Sequence, residues 1–96
     1  MYNGFLINER DDVVTVSEDI QPGSAVVYPV KNGECSIIAT MPVPRYHKIA
    51  VRDIPAGQPV LKYGEVIGHA TVDISKGDHV HVDNISDYVH EAEDKE

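Results

Sequence analysis

Residues 47–84, HKIAVRDIPAGQPVLKYGEVIGHATVDISKGDHVHVDN, decide how this chain is read. Within them the phrase Asp-Ile-x-x-Gly occurs twice, at Asp53 to Gly57 and at Asp73 to Gly77, and a further copy stands upstream at Asp19 to Gly23. The phrase has a mechanical sense. Its aspartate ends a strand and offers a carboxylate to backbone amides of the turn, its isoleucine enters the core, and its glycine takes a backbone conformation that other residues avoid. A strand valine follows each copy, at Val26, Val60 and Val80. The copies are unevenly spaced, which excludes a regular solenoid. They predict one turn type reused at similar corners of a compact, irregular all-β domain.

Only the last copy runs into His79-Val80-His81-Val82-Asp83-Asn84. In an extended segment residues two apart share a face, so His79, His81 and Asp83 are expected to project together while Val80 and Val82 point to the core. Two imidazoles and a carboxylate suit Fe(II), Mn(II) or Zn(II) with positions left open for substrate. The competing reading is a half-buried strand whose outer face is merely polar. Asn84 ends the segment, and His47, on the strand where the stretch begins, is a candidate neighbour.

Outward from this stretch, strands are predicted over 2–8, 13–16, 25–30, 35–39, 47–51, 59–63, 66–71 and 79–83. The pair Asn32-Gly33 marks a hairpin, because both central positions of such a turn tolerate positive φ. Pro42 and Pro44 make an extended connection. Residues 86–96 have weak helical potential and carry Asp87, Glu91, Glu93, Asp94 and Glu96 against Lys95 alone. The expected organisation is therefore one domain over 1–85 and an acidic, weakly structured tail over 86–96.

Composition narrows the function. The 96 residues make one small domain, and with a single Phe and no Trp its core must come from Val, Ile and Ala. The net charge of −8 and the dispersed Lys and Arg argue against nucleic acid as a partner. An anionic small molecule fits, since one local cation outweighs the global field. Cys35 is the only cysteine, which gives no internal disulfide, and it is expected to be a small buried apolar residue. No apolar run suits a membrane span or an export signal, so the expected setting is cytoplasmic. No phosphate-cradling Gly-rich loop or nucleophile elbow occurs.

The order His47-Lys48-Ile49-Ala50, Ile54-x-x-Gly57, Lys62-Tyr63-Gly64, Ile67-Gly68, Ile74-x-x-Gly77 and His79-Val80-His81 with Asn84 resembles the N-terminal domain of the altronate and galactarate dehydratase family. The likeness is specific over residues 47–84 and extends in plan over roughly 13–85. It implies a SAF-type domain with a β-clip fold, of the size of the family's separate small subunits, such as the alpha subunit of sulfolactate sulfo-lyase. It also implies a lyase acting on anionic hydroxy acids such as sugar acids, with a larger dehydratase-like chain supplying much of the site. This chain is then expected to be inactive alone. The alternative is a non-catalytic SAF-type ligand-binding or assembly module, and self-association through open strands stays open.

Elimination β to a carboxylate needs a base for a weakly acidic α-proton and a Lewis acid for the developing charge. His47 or Lys48 is a candidate base, alongside residues of the partner. Lys62 and Tyr63 are candidates for binding a substrate carboxylate or hydroxyl, with Asn84 beside them, although Lys62 also reads as an exposed strand residue and Tyr63 as a rim residue. Arg45 and Arg52 are candidate anion clamps. His69 is expected to be structural, and His90 is given no role.

Overall fold

The structure, a computed structural model, describes residues 2–87. It contains no helix among them. Nine strands are described: β1 (Gly4–Phe5), β2 (Val13–Val16), β3 (Ala25–Val30), β4 (Gly33–Ile38), β5 (Lys48–Ala50), β6 (Pro59–Lys62), β7 (Glu65–Ala70), β8 (His79–Val80) and β9 (Ile85–Asp87). They form an antiparallel sheet in the order β1-β2-β5-β8, the hairpin β3-β4 and a sheet in the order β6-β7-β9. The all-β expectation holds.

The Asp-Ile-x-x-Gly corners organise these pieces, and the structure holds four of them rather than three. Ile54 and Ile74 bridge one another, and so do Ile20 and Val43. The segment Pro42-Val43-Pro44-Arg45-Tyr46 is thus a further corner, with Val43 in the isoleucine's place. The backbone confirms the equivalence: Ser24, His47, Gln58 and Asp78 each donate an amide to the carbonyl three residues earlier. The residue in the glycine's place is left-handed in every case, at Gly23 (φ 87°), Tyr46 (φ 71°), Gly57 (φ 89°) and Gly77 (φ 96°).

The aspartates do not bond amides of their own turns, as the sequence suggested. They reach across to the opposite corner. Asp53 Oδ1 accepts from the Lys76 amide at 2.9 Å, and Asp73 Oδ1 accepts from the Ala56 amide at 2.8 Å. Asp19 Oδ1 accepts in the same way from the Arg45 amide at 2.8 Å. Pro42 stands in the aspartate's place and has no carboxylate to return that bond.

Each pair of corners closes its own core. Ile20 and Val43 lie in one with Val14, Val26 and Ile49, while Ile54 and Ile74 lie in the other with Val13, Val60 and Val80. The β2-β5 ladder runs between them, pairing Val13 with Ala50 and Val14 with Ile49. It is buried on both faces, so adjacent residues enter different cores. The β-branched side chains fill these spaces, each fully buried one contributing about 1.5–3 kcal/mol.

Several expectations change. The hairpin pairs Val30 with Gly33, so its two-residue turn is Lys31-Asn32, one residue earlier than the Asn-Gly pair implied. Cys35 lies on the outer side of β4 and is exposed, not buried. Strand β8 stops at Val80 and the chain turns over 81–84, which leaves Val82 78% exposed instead of in the core. Ser86 and Asp87 are the end of β9, paired with His69 and Gly68, so these first residues of the expected tail are strand. The remainder of the tail, with His90, lies outside the described residues.

Candidate metal centre and its neighbours

Three imidazoles converge on one spot. The fourth residue of the Pro42 corner is followed by Tyr46 and then His47, so His47 enters just before β5. The β5-β8 ladder sets Ile49 opposite His79 and Lys48 opposite Val80, which brings His79 alongside the start of β5. His81 follows where β8 ends. Ring centroids are 5.0 Å apart for His47 and His79, 4.6 Å for His47 and His81, and 5.4 Å for His79 and His81. One ring nitrogen from each lies within 4.8 Å of the others, and all three side chains are half-buried.

His47 Nδ1 and His79 Nε2 are 2.8 Å apart. Without an ion this contact needs one nitrogen protonated and the other bare. It is also close to the separation of about 3 Å that neighbouring imidazole nitrogens take around one divalent ion. Burial lowers the His79 pKa from its usual 6.5, and the fields of His47 and His81 lower it further, with Lys48 adding to this and Asp83 opposing it. The neutral imidazole that this favours is the form that ligates metal.

That shift has a measurable consequence in the metal-free chain. The unfolded chain takes up a proton near the usual histidine value, which the native His79 resists, so stability should fall as pH drops from about 7.5 to about 5.5. Below the native pKa the loss levels off. Urea midpoints at the two pH values check this against His79→Asn, which should lose less on acidification than the parent. An equal or larger loss in His79→Asn contradicts it.

The turn that presents His81 is held by Asn84. Its Oδ1 accepts the His81 amide at 2.9 Å and its Nδ2 donates to the His79 carbonyl at 2.7 Å. The Asn84 amide also donates to the His81 carbonyl at 3.0 Å. The structure thus places Asn84 on the backbone of the two histidines, as a clamp on the site's geometry. Asp83 is exposed and is not among the converging donors, although its charge reaches His79.

A second group adjoins the histidines through Lys48. This half-buried lysine has its pKa lowered by burial first and then by the charge of Lys62, with Tyr63 opposing. Lys62 ends β6 and lays its Nζ over the Tyr63 ring, 3.4 Å from the centroid. Tyr63 is left-handed (φ 60°) and 59% exposed. No sequence motif marks what holds this turn. Asp11, only 5% exposed, accepts the amides of Tyr63 at 2.9 Å, Gly64 at 2.8 Å and Asn8 at 3.2 Å. Asp12, 3% exposed, accepts the Leu61 amide and pairs with Arg52, which takes that arginine out of the set of anion clamps. Arg45 stacks over Tyr46, 5.1 Å from the ring centroid. His69 lies on β7, and its carbonyl accepts the Ser86 hydroxyl.

No described helix is long and apolar enough to cross a membrane. Residues 2–88 match the family model for the altronate/galactarate dehydratase SAF domain. The chain is 40% identical over 79 residues to altronate dehydratase of Bacillus subtilis (strain 168), a match that covers 81% of this chain and 15% of that protein. Against altronate dehydratase of Escherichia coli (strain K12) the identity is 38% over 78 residues, again 81% of this chain and 15% of the relative. The chain thus spans a small part of these dehydratases. Against the (2R)-sulfolactate sulfo-lyase subunit alpha of Chromohalobacter salexigens, identity is 31% over 85 residues, covering 84% of this chain and 90% of that subunit.

Proposed function

We propose that this chain, which belongs to the altronate/galactarate dehydratase SAF domain family, is the small subunit of a cytoplasmic hydroxy-acid lyase and lends its three-histidine face to a site completed by a larger dehydratase-like chain. The convergence of His47, His79 and His81 carries this reading. Three imidazoles on one side of a centre make a donor set for Fe(II), Mn(II) or Zn(II) that leaves the opposite side open. A divalent ion held there supplies Lewis acidity for the charge that develops when a proton α to a carboxylate is removed. The expected reaction removes water from a sugar acid, or sulfite from a sulfonated hydroxy acid.

The chain's own residues bind and position. His47 and His79 offer facing nitrogens, and the Asn84 clamp fixes the backbone from which His79 and His81 project. With His47 among the ligands, Lys48, whose pKa is lowered by burial and then by the charge of Lys62, stays the candidate base, alongside residues of the larger chain. Two relatives named as alpha subunits support a two-part enzyme, while the dehydratases carry this region within much longer chains.

Co-expression with a dehydratase-like chain tests the assignment. The two should co-purify, and turnover of a hydroxy acid should require both chains and a divalent metal. If the chain binds a hydroxy acid without metal dependence and no dehydratase-like chain restores turnover, the SAF-type binding or assembly module is the correct reading instead.

A further inference from the structure

We infer that Tyr46, Val82 and the hollow beside Val82 form the surface on which the larger chain seats as it closes the open side of the three-histidine centre. The inference rests on the two-part reading above and adds to it the residues that make the contact. Val82 and Tyr46 are the two most exposed of the large apolar side chains among the described residues, at 78% and 70%. Tyr46 immediately precedes His47 and Val82 immediately follows His81, and those two histidine rings lie 4.6 Å apart. With consecutive Cα atoms about 3.8 Å apart, both apolar residues leave the backbone at the edge of the site.

Neither residue is explained by the fold. Tyr46 is left-handed (φ 71°) where the three equivalent corners have glycine. A β-carbon at Gly23 or Gly57 would meet nothing within 4 Å, so glycine stands there for its backbone freedom and not for want of space. Tyr46 bears that conformational cost without burial to offset it, and strain of this kind is kept where function uses the residue. Arg45 stacks over the Tyr46 ring and has no ion pair among the described residues. Val82 stands in the turn over 81–84, a place that favours polar residues. It borders an open hollow of about 330 Å³ whose other lining residues are Ile67, Ile85 and Ser86. Both isoleucines pack against the core behind them, so the hollow is preformed.

The chemistry of this rim selects a protein. An anionic hydroxy acid gains nothing from valine and isoleucine side chains, whereas apolar side chains of a second chain are buried there. Tyrosine and arginine are also the residue types that carry much of the binding energy at such contacts. A second copy of this chain would only set one three-histidine face against another. The larger chain brings the rest of the site.

Calorimetry of the full chain with a separately purified dehydratase-like chain tests the surface. Val82→Ser and Tyr46→Gly should each weaken the association about tenfold. Ile7→Ser removes an apolar side chain that is 57% exposed, next to β1 at the sheet edge opposite β8, and should bind as the parent does. Tyr46→Gly should at the same time raise the urea midpoint, because it relieves the left-handed tyrosine. A lowered midpoint would make the ring a support of the fold and overturn its part in the contact. If the parent binds the larger chain and both site variants bind equally well, the surface is overturned and the two-part reading stands. If the parent binds no larger chain, the two-part reading falls and the inference with it, and self-association abolished by Val82→Ser would assign the surface to a second copy instead.

Discussion

Replacing His79 with alanine is expected to weaken divalent-metal binding by more than ~100-fold, since a direct ligand matters more than the outer partners whose loss alone costs about 10–100-fold. His79 is the member to remove because it touches His47 at 2.8 Å and stacks near His81, so the remaining pair loses its common centre. The fold should survive, because the side chain is half-buried and the core contact of β8 is made by Val80, fully buried beside it. Competition of Zn(II) between the chain and a chromophoric chelator gives the ratio of affinities. Asp83→Ala, measured in parallel, separates two ligand sets: with the three histidines as ligands it should change the affinity only a few-fold. A loss comparable with that of His79→Ala would return Asp83 to the set that the strand alternation predicted.

Removing the Asp11 carboxylate is expected to be the most destabilising change next to the site. Asp11→Ala leaves the amides of Asn8, Tyr63 and Gly64 without their acceptor. Buried donors left without partners cost about 1–3 kcal/mol each, and these are only part-buried, so a total of about 3 kcal/mol is expected. That is a large fraction of the stability of a domain this small. The loss should appear as a lower urea midpoint with an unchanged slope. In the part that stays folded, the Tyr63 ring should lose its fixed contact with Lys62. A midpoint shift below about 1 kcal/mol would mean that water replaces the carboxylate and that Asp11 does not set the turn.

The sequence showed the corners but not how they pair. Asp19, Asp53 and Asp73 announce themselves, and the isoleucine after each is buried as the phrase requires. The corner at Pro42 is silent because Pro42 and Tyr46 stand where aspartate and glycine would. It is revealed by the Ile20–Val43 bridge, by the Arg45 amide donated to Asp19, by the His47 amide donated to the Pro44 carbonyl and by the left-handed Tyr46. Nothing local in a sequence states which corner will face which, since that depends on two cores closing at once.

The site was half legible for a similar reason. Alternation over 79–83 paired His79 with His81 correctly, but it assumed that the strand continued through Asp83. Asn84 ends it by bonding back to His81, and a turn is cheap there because Val82 has no core to reach. The third donor comes from the β5-β8 register, which sets the start of β5 beside His79. The sequence made His47 a candidate neighbour of that face, but as a base and not as a ligand. Asp11, far away in the sequence, has no motif at all, and its role depends on burial that composition does not reveal.

In the function proposed above, His47, His79 and His81 together hold one divalent ion. Zinc titration of the full chain, followed by the imidazole resonances of all five histidines, tests it most directly. His47, His79 and His81 should shift together and saturate at one equivalent, while His69 should not respond. If those three stay unmoved, or shift separately at different metal ratios, the three-histidine centre is contradicted.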